Sequence, residues 1–110
     1  MARIETQESI AIWAEQAFGP AVTNARVVGR ANEEMAELIR AATSDKPIHE
    51  LIEEAADVVI VLYRLAARNS ESLDAAIDAK MALNRMREWK RDGTGHGYHV
   101  RTDKTGAHHG

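Results

Sequence analysis

The sequence predicts an all-α protein: an antiparallel helical bundle of about four helices, completed by homo-oligomerisation. Three observations predict it. Glycine and proline divide the chain into pieces of helical length, and apolar residues inside the pieces recur at i, i+3 and i+4. The most apolar piece also runs for about 20 residues without a turn signal, whereas strands rarely exceed about 10.

Residues 7–18 form the first piece. Ile10, Trp13, Ala14, Ala17 and Phe18 lie on one helical face, and Gly19-Pro20 ends it. The second runs from Thr23 to Ala42, with Met35, Leu38, Ile39 and Ala42 as its apolar stripe, and Gly29 inside it is a bend, a close packing point or a break. Thr43 to Pro47 reads as a turn, with Pro47 tolerable in the first turn of the next helix. The third piece is Ile48 to Ala67. Its centre, Val58 to Tyr63, is β-branched enough to suggest a strand, but an apolar surface on most sides is what a central bundle helix shows. Asn69 to Ser72 then offers capping hydroxyls for a fourth helix reaching Arg91, and Asp92-Gly93 stops it. This gives a helical domain over 1–92 and a Gly- and His-rich tail over 93–110, read as loop or disorder.

A chain of 110 residues builds one core and buries roughly two-thirds of its unfolded surface. The Val58 to Tyr63 run is too apolar for one protomer to cover, so a helical homodimer that buries it is expected. With 45% hydrophobic and 28% charged residues the composition is globular. No apolar run approaches the about 20 residues of a membrane span, and MARIETQESI does not read as a signal peptide. The absence of cysteine excludes disulfides and thiolate metal sites and fits a reducing cytoplasm. A formal charge of −3 argues against a surface built to grip a nucleic acid polymer.

Two acidic pairs carry the chemistry. Glu34 and Glu37 in the second helix, and Glu54 and Asp57 in the third, are each spaced i, i+3 and so project from one face. Both pairs adjoin apolar stripes, where a carboxylate must be paired or bound to metal. The plainer alternative is a solvated acidic face, a role open to Glu33 and Glu53. All-oxygen ligation suits Mg²⁺, Mn²⁺ or Ca²⁺ rather than zinc. The fourth helix carries Lys80, Asn84, Arg87 and Arg91 within about 60° on a helical wheel. A cationic ridge beside a bound divalent ion is what phosphate chemistry needs.

Glu33-Glu34-Met35-Ala36-Glu37, followed after sixteen residues by Glu54-Ala55-Ala56-Asp57, resembles the EExxE and ExxD motifs of the MazG-like, all-alpha nucleoside triphosphate pyrophosphohydrolases. Lys80-Met81-x-x-Asn84-x-x-Arg87 resembles that superfamily's downstream basic positions. The resemblance implies a Mg²⁺-dependent enzyme, with Mn²⁺ as substitute, that cleaves a (deoxy)nucleoside triphosphate between the α and β phosphates and cleans the nucleotide pool. It implies Glu34, Glu37, Glu54 and Asp57 as ligands, Lys80, Asn84 and Arg87 as substrate contacts and a homodimer or homotetramer; Arg91, on the same ridge, is added to the substrate contacts. Glu33, Glu50 and Glu53 are candidates for the general base, with Glu33 and Glu53 carried forward as catalytic. Trp13 is a candidate base-stacking platform, Trp89 reads as structural, His96 to His99 offer a flap over nucleotide or a mobile tail, and His108 and His109 read as mobile tail. The alternative is a non-catalytic helical module that binds metal, nucleotide or a partner.

Overall fold

The computed structural model describes residues 2–100; His108 and His109 lie outside them. In chain order they form α1 (Gln7–Phe18), α2 (Asn24–Ala42), α3 (Ile48–Arg68), α4 (Leu73–Met86) and two short strands, β1 (Trp89–Arg91) and β2 (Gly97–His99). They divide between Asp74 and Ala75 into two compact units, whereas the sequence places its boundary at 92/93.

Local chemistry sets the helix ends of the first unit. Thr6 caps α1 through a capping box: its hydroxyl accepts from the Ser9 N–H at 3.1 Å, and its own N–H donates to the Ser9 hydroxyl at 2.8 Å. Gly19, at φ 83°, releases the chain before Pro20. Thr23 caps α2 by accepting from the Arg26 N–H at 3.1 Å. Helix α2 runs through Gly29, where an added Cβ would meet open space, so that glycine is neither a break nor a packing point. At the end of α3 the Ser70 N–H returns to Ala67 and the Glu71 N–H to Ala66. This closes a Schellman motif around Ser70, which takes a φ of 56°.

Helices α1 and α2 both pack on α3. Asn24, at the start of α2, accepts from Arg68 at 2.6 Å and Asn69 at 2.9 Å, at the end of α3, which makes the two helices antiparallel. The buried residues are Ile10 and Ala14 of α1, Val27, Ala31 and Ala41 of α2, and Val58 and Tyr63 of α3. The Tyr63 hydroxyl donates to Asp74 at 2.7 Å and accepts from Arg3 at 3.3 Å, so the one polar atom of that core residue is satisfied. No helix among the described residues is long and apolar enough to cross a membrane.

The second unit corrects the sequence reading. Helix α4 ends at Met86 rather than Arg91, and part of the expected tail is an antiparallel hairpin in the register Trp89↔His99, Lys90↔Tyr98, Arg91↔Gly97. Two interactions stop the helix: the Arg87 N–H closes back on the Asn84 carbonyl at 3.2 Å, and the Trp89 indole N–H donates to that carbonyl at 2.8 Å. Trp89 is therefore a half-exposed strand residue rather than a helix packing residue. Gly93 and Gly95 take positive φ in the connection, and a side chain at Gly97 would strike the Lys90 carbonyl.

The connection is organised by Asp92. Its carboxylate accepts from the Thr94 hydroxyl at 2.7 Å, the Thr94 N–H at 2.9 Å and the His96 N–H at 3.3 Å. The Thr94 hydroxyl is the main cause, and the backbone donors a lesser one, of a carboxyl held below its ordinary value. A lowered carboxyl stabilises the turn fully above the ordinary aspartate value, about pH 3.9, and that contribution is lost as pH falls through the lowered one. Cross-strand NMR contacts between Trp89 and His99 are thus expected to persist at neutral pH and fade on acidification. In Asp92→Ala they should be weak at every pH.

Candidate active site

The α2–α3 seam follows from spacing. On α2, Val27, Ala31, Glu34, Leu38 and Ala41 recur at the interval that keeps one face on a neighbouring helix, and none of the five is fully exposed. Glu34 occupies a seam position that apolar residues fill elsewhere, and its side chain is 13% exposed. Leu51, Glu54, Val58 and Leu65 do the same on α3, where Glu54 is half-buried. Asp57 follows one turn after Glu54 at the exposed edge of the seam.

Antiparallel packing brings these residues together. One carboxylate oxygen from each of Glu34, Glu54 and Asp57 lies within 4.8 Å of the others. Arg30 is the cation of the cluster, 2.6 Å from Glu34 and 2.7 Å from Glu33. Its guanidinium is held above its ordinary value, first by the hydrogen bond with Glu33 and then by the charge of Glu34, against desolvation by burial, with lesser help from the charges of Glu33 and Asp57. Among the described residues, Glu54 and Asp57 have no ion pair of their own.

The donor set fits a hard divalent ion. Oxygen ligands on opposite sides of Mg²⁺ stand about 4.2 Å apart, and those on Ca²⁺ about 5 Å apart. Three carboxylates within 4.8 Å of one another would have to draw closer to hold one such ion, since adjacent ligands on Mg²⁺ stand only about 3 Å apart.

Glu37 is not brought into this group. It lies beside the seam rather than in it, exposed, and is paired with Arg40 on the next turn of α2. Glu33 is exposed and held by Arg30. Glu53 is exposed one turn before Asp57, and Glu50 is half-buried one turn before Glu54. Trp13 stands 53% exposed on α1 with its ring edge-on to Phe18 at 5.3 Å.

In the second unit, Lys80 is exposed and Asn84 half-buried on α4. Arg87 is half-buried just beyond the end of that helix, and Arg91 is exposed on β1 opposite Gly97. The expected helical ridge is therefore split between a helix, its end and a strand.

A cleft of about 580 Å³ opens from the carboxylates. Glu34 and Asp57 line it, and Ala14, Val27, Ile60 and Val61 supply apolar wall. Arg26 lies two turns before Glu34 on α2 and Arg64 two turns after Asp57 on α3, so antiparallel packing puts both arginines at the opposite end. Phe18 belongs to that end as well, since the Arg64 guanidinium lies 5.8 Å over its ring.

The α1–α2 connection closes this end and is strapped to α3. Arg64 donates to the Gly19 carbonyl, and Arg68 donates to the carbonyls of Ala21 at 3.3 Å and Val22 at 2.8 Å. The sequence reading missed Phe18, Arg26, Arg30 and Arg64 as cleft residues. For α2 a signal was available, because Arg26, Arg30 and Glu34 recur every four residues along one ridge.

No protein-family model matches the chain. A curated relative, the dATP/dGTP diphosphohydrolase of cyanophage S-2L, is 32% identical over 96 residues, spanning 87% of this chain and 86% of that protein. A solved structure is also similar: a cyanophage S-2L MazG-like pyrophosphohydrolase bound to dGDP and three catalytic Mn²⁺ ions per active site. It is 33% identical with a TM-score of 0.71, and the match covers 88% of this chain and 91% of that one. An identity of this size over nearly the whole of both chains means that this protein belongs to the MazG-like pyrophosphohydrolases, hydrolases that act on acid anhydrides.

Proposed function

We propose that the protein hydrolyses nucleoside triphosphates between the α and β phosphates, releasing monophosphate and pyrophosphate, and that it serves to clear deoxynucleotides from the pool. The observation that carries this reading is the convergence of Glu34, Glu54 and Asp57 at one end of a cleft whose walls, apart from Arg26, Arg30 and Arg64, are apolar and aromatic. Charge sits where a polyphosphate would lie, and apolar surface where a base would lie. The relative named for dATP and dGTP, and the structure holding dGDP, make purine deoxynucleotides the first substrates to test.

Glu34, Glu54 and Asp57 would hold Mg²⁺, with Mn²⁺ as substitute. Glu37, one turn from Glu34, would join them by exchanging Arg40 for an ion. When bound, a divalent ion neutralises phosphate charge and makes a water acidic enough to react near neutral pH. The residues of the chain supply the rest. Glu53, one turn from Asp57 and without an ion pair among the described residues, is the better placed general base; Glu33 is held by Arg30. The base takes a proton from water as the water oxygen bonds to the α-phosphorus and the bond to the bridging oxygen breaks, releasing pyrophosphate. Lys80, Asn84, Arg87 and Arg91 are assigned to the phosphates and sugar, and Trp13 to the base. A homo-oligomer is part of the proposal, because Ile48 at 70% and Ile52 at 60% exposure leave an apolar face on α3.

Three outcomes are expected. With Mg²⁺ or Mn²⁺, the protein should release pyrophosphate rather than phosphate from a deoxynucleoside triphosphate. Glu54→Gln and Asp57→Asn should each lower kcat at least about 100-fold without lowering Tm. Calorimetric nucleotide binding with no turnover of any triphosphate would instead favour a binding module. In light scattering the chain should run as a dimer or tetramer that Ile52→Glu dissociates; a wild-type monomer would contradict the oligomer.

A further inference from the structure

The three arginines of the cleft are not equivalent. Arg30 is engaged by Glu33 and Glu34, and Arg64 is engaged by the Gly19 carbonyl and the Phe18 ring. Arg26 also lines the cleft and is exposed, yet its guanidinium has no hydrogen bond or ion pair among the described residues. Its backbone N–H alone is used, in capping α2. The position is fixed by the helix: Arg26 stands two turns, about 12 Å, along α2 from Glu34. It is at the end closed by Phe18 and the strapped 19–23 connection, away from the carboxylates.

We propose that Arg26 reads the base and selects guanine. The inference rests on the pyrophosphohydrolase reading, which puts the polyphosphate at the carboxylates and the base at the aromatic end. A guanidinium offers hydrogen-bond donors only, in a planar fork. Guanine presents two adjacent acceptors, O6 and N7, that match the fork, whereas adenine places an amino donor beside N7 and opposes one of its arms. No carboxylate lines the cleft at that end to neutralise Arg26 in advance, since Glu34 and Asp57 both lie at the other. Val22 and Val27 border the same region with apolar surface, so a base there would lose water on its faces while its polar edge meets the arginine.

The test compares dGTP, dATP and 7-deaza-dGTP, which lacks the N7 acceptor, on wild type, Arg26→Lys and Arg26→Ala. In kcat/KM the wild type should prefer dGTP over each of the others by about 10- to 100-fold. In Arg26→Ala both ratios should fall close to one, mainly through KM. Arg26→Lys keeps the charge but not the fork and should lose most of both. The same ratios read as Kd for dGDP and 7-deaza-dGDP by calorimetry need no turnover. Equal use of dGTP and 7-deaza-dGTP by wild type would overturn the assignment. So would an equal loss on all three substrates in Arg26→Ala, which marks a phosphate contact or a structural role. Absence of pyrophosphate release with an intact dGDP preference that Arg26→Ala removes would fail the pyrophosphohydrolase reading and leave the base contact standing.

Discussion

Like charges held within 4.8 Å repel, by about 1 kcal/mol per pair where water screens them and by about 3 to 4 kcal/mol where protein does. Glu34, Glu54 and Asp57 accept that cost because the backbone gives them no choice. Glu34 and Glu54 occupy seam positions on packed antiparallel helices, and Asp57 follows Glu54 by one turn. Arg30 pairs with Glu34 and reaches Asp57 only weakly through its charge, which leaves Glu54 without a cation among the described residues. The arrangement costs stability as it stands, and under the proposed function a bound cation of higher charge would offset that cost, which would make helix pairing and metal chemistry one constraint.

The rest of the first unit serves that end. Helix α1 covers α3 and brings Trp13 and Phe18 to the cleft, while Arg64 and Arg68 hold the 19–23 connection by its carbonyls. Carbonyl oxygens in a connecting segment need donors, and long arginines from the last turns of α3 supply them without apolar packing. The cleft thus has a wall fixed by hydrogen bonds rather than by a deep core. That suits a unit whose buried residues are few and mostly small, such as Ala14, Ala31 and Ala41.

Much of this was legible in the sequence, for physical reasons that differ by element. The helices were readable from apolar spacing and from stops such as Gly19-Pro20, while the Thr23 cap of α2 was read as part of the helix. Glu34, Glu54 and Asp57 were readable because acidic residues at or beside apolar seam positions require a partner. Glu37 has the same i, i+3 relation to Glu34, but Arg40 on the next turn satisfies it locally; a wheel shows direction and not competition. The hairpin was not readable, because three-residue strands carry almost no periodicity and their register depends on pairing Trp89 with His99 across a turn. Its turn chemistry was visible in Asp92-Gly93, which read as a helix stop and is also the start of the connection. Arg64 and Arg68 were silent because their partners lie more than forty residues away in the chain.

The central claim, that the carboxylate cluster is strained alone and relieved by a divalent ion, is tested most directly by thermal melting of wild type and Glu54→Gln with and without Mn²⁺. The account predicts that Mn²⁺ raises the wild-type Tm with concentration. It predicts further that Glu54→Gln melts at or above wild type without metal and shows little response to it. A wild-type Tm indifferent to Mn²⁺ and Mg²⁺, or a Glu54→Gln variant that is less stable without metal yet keeps the full response, would contradict it.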